Sequence, residues 1–200
     1  MKRVFQFIVV ICMLASISNA AFDYVISDTY EYGVFRLINS VSLLVTGAGA
    51  SHIDARDSSY IEIQNTSPLI DNTGGIYTLS LNDNGTVHSF GGEIGNFDIY
   101  DNSSAVFQGG RVDYINSHQY ILQPNQEVLR HIEIVCDTHV FDDSTNYLSG
   151  TWMDGSSFGI QLVDQDDYDR VIDNIFFTPE PATLLLLGLG GLALRKRRRV

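Results

Sequence analysis

Between residues 21 and 178 this chain of 200 residues has no lysine, and its only permanently basic side chains there are Arg36, Arg56, Arg111, Arg130 and Arg170. The same span holds 23 acidic residues, a balance of minus 18. A domain so charged repels a phosphate backbone, which argues against nucleic acid as a partner. Cysteine is almost as scarce, with only Cys12 and Cys136. Cys12 lies in an apolar N-terminal run, so no internal disulfide framework is available, and Cys136 is expected to pack as a small buried hydrophobe. The histidines His52, His88, His118, His131 and His139 include no pair at helical ligand spacing, and one remaining thiol cannot build the usual zinc site. There is no Gly-x-Ser-x-Gly elbow, and Gly47-Ala48-Gly49-Ala50 lacks the lysine of a phosphate loop.

What is present is the composition of a folded protein, 44% apolar and 11% aromatic, with signals at both ends. Residues 1–20 combine a basic start at Lys2 and Arg3, an apolar run from Phe5 to Ala15, and Ser18-Asn19-Ala20. That order predicts a secretory signal helix in which signal peptidase inspects the small residues Ser18 and Ala20 and cuts after Ala20, so that Ala21 becomes the first residue. At the other end Pro179-Glu180-Pro181 is followed by an uncharged segment, Ala182–Leu194, and then by Arg195, Lys196, Arg197, Arg198 and Arg199. Thirteen helical residues reach about 20 Å against a hydrocarbon core of about 30 Å, so this transmembrane segment is short. Arginines snorkelling to the cytoplasmic headgroups extend it, act as a basic stop and leave the body outside the inner membrane.

This three-part tail resembles the bacterial PEP-CTERM sorting signal. The resemblance implies that Pro179, Glu180 and Pro181 are recognised by exosortase, a membrane protease-transpeptidase. It also implies a Gram-negative host that makes exopolysaccharide and biofilm matrix. The stretch from Leu148 to Phe158 is similar to a segment that precedes the signal in other anchored proteins of the group. Neither resemblance assigns an activity to the body.

The body reads as all-β, and residues 21–121 carry a repeat. Gly74-Gly75, Gly91-Gly92 and Gly109-Gly110 recur at 17 and 18 residues, each followed by an alternating apolar segment, and Asp83-Asn84 precedes Asp101-Asn102 by 18. An earlier copy runs from Ile53 to Ile63, displaced by a loop around Asn65 to Thr73 that contains Pro68. A unit this short cannot bury its own side chains and must stack on its neighbours. The expected fold is a short parallel β-helix, or solenoid, of three to four coils, with Ile76, Ile94 and Val112 in one internal column. A β-sandwich or jelly roll is the alternative, since its strands also recur at short spacing. Residues 122–178 form a β-rich capping region, with a strand around Val128–Val135 and a hairpin from Tyr147 to Val163 turning at Asp154-Gly155 as type I′. Trp152 and Phe158 are expected on the open end of the coils. Residues 179–200 are the sorting signal.

Candidates for chemistry are sparse. His131, Glu133, Asp137 and His139 are near enough in sequence for a metal cluster, but strand-surface polars around a turn are the simpler reading. Asp164, Asp166, Asp167 and Asp169, or the turn residues Asp83 and Asp101, offer oxygens of the kind calcium takes, without matching any calcium loop. No catalytic residue, cofactor or metal is assigned. The expected function is an exported, C-terminally sorted, non-catalytic surface or matrix protein associated with exopolysaccharide. The alternative is a carbohydrate-active enzyme or glycan-binding module on the same β-helix, which calls for Asp54, Asp98 and Asp113 to line one exposed sheet beside aromatic side chains, with carboxylates about 5 to 10 Å apart.

Overall fold

The computed structural model describes residues 21–70, 74–118, 132–166 and 168–178. The expected signal helix, the sorting segment from residue 179 onward and the start of the capping region lie outside them. Ten strands run in alternating pairs: β1 (Tyr24–Ile26) and β2 (Glu31–Leu37), β3 (Ser42–Thr46) and β4 (Ala50–Ala55), β5 (Tyr60–Asn65) and β6 (Ile76–Leu81), β7 (Thr86–Ser89) and β8 (Glu93–Tyr100), β9 (Ser104–Phe107) and β10 (Arg111–His118). Each strand pairs in parallel with the strand two places on, so the odd strands stack into one face and the even strands into another. This is the expected parallel solenoid, not a sandwich, whose neighbours would be antiparallel. It has five coils where the repeat suggested three or four. The extra coil is β1 with β2, which has no paired glycine and whose β2 residues are mostly exposed, so no period marks it.

The core lies between the two faces and is built of columns. Ile76 stands over Ile94, and Ile94 over Val112, as the repeat requires, and Ala50 extends the column by one coil. A second column stacks Ile53, Leu79, Phe97 and Ile115, and across the core Phe97 meets Phe107 edge-on at 5.2 Å between ring centres. Stacking identical layers in this way buries both sides of the chain's own apolar segments, which no single coil can do.

Two corners make the stacking possible. At one, Gly75, Gly92 and Gly110 have φ of +63°, +85° and +84°, a region that costs a glycine nothing. At the other, Asn39, Asp57, Asp83 and Asp101 are all left-handed, and they form a ladder. The carboxylate of Asp57 accepts the Asn39 N–H at 2.8 Å, that of Asp83 accepts Asp57 N–H at 3.2 Å, and that of Asp101 accepts Asp83 N–H at 3.3 Å. Asp83 and Asp101 are therefore turn residues tied to backbone, which is the plainer of the two roles their sequence allowed.

The C-terminal end is closed by β11 (Ile132–Asp142), β12 (Tyr147–Trp152), β13 (Ser157–Leu162) and β14 (Ile175–Thr178). The first half of β11 continues the odd face beside β9, its second half pairs antiparallel with β12, and β13 returns to lie parallel on β10. The cap thus joins the two faces over the last coil and covers both strand edges, the exposed feature that a solenoid must manage. Trp152 is 1% exposed, lies 4.4 Å from Phe158 between ring centres, and donates its Nε1–H to the Gly110 carbonyl at 2.9 Å. The hairpin is as expected, but its turn is not type I′. Only Gly155 has positive φ, and Trp152 N–H reaches the Ser156 carbonyl, so a type I turn is followed by a glycine bulge. Asp154 is kept out of the left-handed region while its carboxylate accepts both the Ser156 N–H and its hydroxyl.

Cys136 sits in this cap at 5% exposure, and burial pushes its thiol pKa up. The native protein is expected to leave a disulfide reagent such as DTNB unreacted at pH 8 for as long as it stays folded, with one thiol appearing on addition of denaturant. Rapid reaction of the folded chain would contradict the packing described.

Candidate functional site

The outward side chains of the even face form a polar surface. In β-strand register Arg36, Asp54, Ser80, Asp98 and Asn116 make one column across all five coils. The neighbouring positions two residues on include Arg56, Asn82, Tyr100 and His118. His52, Asp54, Arg56, Ser80, Asn82 and Tyr100 line an open depression of about 190 Å³.

Asp54 is its hub. The carboxylate is only 7% exposed and accepts Arg36 Nε–H at 3.0 Å, Arg56 Nε–H at 3.1 Å and Asn82 Nδ2–H at 3.2 Å, with Arg56 Nη2 at 3.0 Å. Burial by itself pushes the carboxyl up, but the hydrogen bonds and charges of Arg56 and Arg36 outweigh it and hold Asp54 below the usual carboxylate range. Beside it Ser80 Oγ lies 3.3 Å from His52 Nε2. Further along the column Asp98 accepts Asn116 Nδ2–H at 2.8 Å, with His118 Nε2 at 4.0 Å. Tyr100 and His118 stack with ring centres 4.1 Å apart and planes 1° from parallel, and Tyr168 meets His118 edge-on. Burial lowers the His118 pKa, partly opposed by the Asp98 charge.

The sign of the Asp54 linkage follows from its lowered pKa. The unfolded carboxyl titrates near 3.9, the folded one lower, so the ion pairs stabilise the fold above about pH 4 and their contribution is lost as pH falls through the folded pKa. Asp54→Asn is expected to be less stable than the natural chain at pH 7 and to show a flatter decline below pH 4. Denaturant midpoints measured from pH 7 to pH 2 check this, and parallel curves for the two proteins would contradict it.

Of the aspartates sought on one sheet, Asp54 and Asp98 do share a column, two strands and therefore about 10 Å apart along the stack. Asp113 lies outside that column and pairs with Arg111 at 2.6 Å. An ionised Asp54 bonded to two arginines is a poor proton donor, whereas the general acid of glycoside hydrolysis is a carboxyl whose pKa is raised.

Three of the other candidates, Asp164, Glu133 and His139, hold other parts of the cap. Asp164 accepts Val171 N–H at 2.8 Å and Asn146 Nδ2–H at 2.9 Å, and so ties the loop before the 3₁₀ turn at Val171–Asn174. Asp167 and His131 lie outside the described residues. Glu133 accepts the Thr178 hydroxyl at 2.6 Å and His139 stacks on Phe177 at 3.7 Å. Among the described residues no three acidic, histidine or cysteine side chains come together as a metal site.

The sequence reading named Asp54 and Asp98 for one sheet but not Arg36, Ser80 and Asn116, the rest of the polar column, although a signal for it exists. Arg36 and Asp54 are 18 residues apart, as are Asp98 and Asn116, the period of the coils. The loop between β5 and β6 breaks that spacing between Asp54 and Ser80.

Ser18 and Ala20, the motif Pro179, Glu180 and Pro181, and the basic stop Arg195, Lys196, Arg197, Arg198 and Arg199 lie outside the described residues, and Ala21 is the first described and is exposed. Among the described residues no helix is long and apolar enough to cross a membrane. The last strand, β14, pairs in parallel with β11 from Ile175 against Ile132 to Thr178 against Val135, and the chain leaves it one residue before Pro179. No curated protein and no solved structure matches the chain. Residues 177–199 match the PEP-CTERM protein-sorting motif, beginning inside β14 with Phe177 and Thr178. The chain therefore carries a PEP-CTERM sorting signal and is an exported protein sorted through its C-terminal segment to the cell envelope or surface.

Proposed function

We propose that this is a non-catalytic surface or matrix protein, delivered through signal peptidase and exosortase and presenting a five-coil β-solenoid in the exopolysaccharide layer. The observation that carries the reading is the sorting motif at residues 177–199, fused to the last strand of a capped solenoid without a linker. The acidic body supports it, since a balance of minus 18 keeps an exported domain soluble and off anionic surfaces. The non-catalytic part is supported by Asp54, whose carboxylate is spent on Arg36, Arg56 and Asn82.

Two measurements test the two halves. In a host with active exosortase, Glu180→Ala is expected to leave the chain in the inner-membrane fraction at precursor size, while the natural chain passes to the outer fractions. Equal distribution of the two would remove exosortase from the account. Incubation with polysaccharides is expected to release no reducing ends and no unsaturated sugars. Release that Asp98→Asn abolishes would favour the enzyme reading instead.

A further inference from the structure

We propose that the depression around Asp54 is a binding site for a neutral saccharide chain, which runs along the polar column from Arg36 toward Asn116. The inference rests on the surface location proposed above and adds a ligand class to it.

The lining selects that class. His52, Arg56, Ser80 and Asn82 supply donors and acceptors close together, and no aliphatic side chain lines the depression, so an apolar ligand finds no pocket. Asp54 holds Arg36 by Nε and Arg56 by Nε and Nη2, which leaves both Nη nitrogens of Arg36 and Nη1 of Arg56 unclaimed by Asp54, and the two side chains remain 55% and 47% exposed. Their outer N–H groups stay in reach of a ligand without having to be ordered first, which removes part of the entropic cost of binding. Tyr100 adds an aromatic wall braced by its stack on His118, a surface on which the C–H face of a sugar ring can pack. A sugar needs this combination of paired hydroxyl partners and a flat ring.

Charge decides between neutral and acidic sugars. Asp54 offsets one of the two arginines bonded to it, and the charges of Asp57 and Asp83, both felt by Arg56, more than offset the other. Asp98 follows in the same column. The site has no positive excess, and the body around it repels uronates and sulfates. The periodicity suits a polymer. Ser80, Asp98 and Asn116 repeat the polar position once per coil, at the strand spacing of about 4.8 Å, so successive rings of an extended chain meet equivalent partners. A peptide is disfavoured because the column lies on the middle of a sheet, not at a free edge.

Affinity electrophoresis of the purified full-length protein tests this. The gels contain cellulose derivatives, glucomannan, galactan or dextran as neutral probes, and polygalacturonate or alginate as acidic ones. Retardation by at least one neutral polymer is expected, weakened at least tenfold by Arg56→Ala and by Asn82→Ala, and unchanged by Val140→Ala on the cap. The melting temperature of each variant is recorded beside it. Asn82→Ala removes only one of the bonds to Asp54, so it keeps the test valid if Arg56→Ala unfolds. The proposal is overturned if no neutral polymer retards the protein, if the acidic polymers retard it more, or if both folded variants bind as the natural chain does. None of these outcomes touches sorting, which is read from the processed C-terminus.

Discussion

Trp152→Ala is expected to destabilise the protein by about 3–5 kcal/mol, the usual cost of removing a fully buried large aromatic side chain. The reason is its place in the cap. Trp152 is 1% exposed, packs on Phe158, and donates to the carbonyl of Gly110 at the corner of the last complete coil. Its loss opens a cavity where the hairpin meets the stack and leaves that carbonyl without its donor. Trp152→Phe separates the two effects. It keeps most of the packing and forfeits the hydrogen bond, which is expected to cost about 1–3 kcal/mol if the carbonyl stays buried. As the only tryptophan in the chain, Trp152 also reports directly on the cap in a natural-chain fluorescence titration. Denaturant unfolding followed by circular dichroism measures the variants. A Trp152→Ala midpoint equal to that of the natural chain would mean that the cap does not secure the coils.

The second large effect lies at the glycine corner. Gly110→Ala places a Cβ 2.4 Å from the Gly92 carbonyl oxygen, which also receives the Arg111 N–H, and does so at φ of +84°. Gly155→Ala meets the same φ, +84°, with nothing within 4 Å. The conformational cost alone is about 1–2 kcal/mol, so Gly155→Ala is expected to lose that much and Gly110→Ala clearly more, because the stack must part to admit the methyl group. Equal losses at the two glycines, measured by thermal or chemical unfolding, would show that the coils do not touch as closely at this corner as described.

The parts of the fold that the sequence made legible are the periodic ones. Ile76, Ile94 and Val112, the glycine pairs and the Asp-Asn turns recur because every coil must solve the same steric problem, so they advertise both the solenoid and its register. Where that problem is solved once, the signal fades. The first coil has Tyr24 and Phe35 closing its interior edge-on at 5.6 Å, with Tyr24 52% exposed and a bulge at Gly33 in β2, and no repeat announces it. The turn at Asp154-Gly155 was misread because an aspartate-glycine pair is common to both hairpin types, and the choice between them falls to Ser156, which bonds the Asp154 side chain. The groove was hidden for another reason. The sequence places Asp54 with Asp98 and Asp113 as carboxylates for one exposed sheet, and only the fold shows that Arg36 from the preceding coil and Arg56 from its own share it. Those contacts depend on register, and the irregular loop between β5 and β6 conceals the register beyond them. The sorting signal needed no fold to be seen, being a linear order of motif, apolar segment and basic cluster.

The most direct test of the whole account is the intact mass of the protein recovered from hosts that differ only in exosortase. With the enzyme present, the recovered chain is expected to begin at Ala21 and to lack the Arg195–Arg199 cluster. Without it, the N-terminus is expected to be the same and the basic cluster to remain. Recovery of one full-length mass, residues 1 to 200, from the cytosol of both hosts would contradict the account.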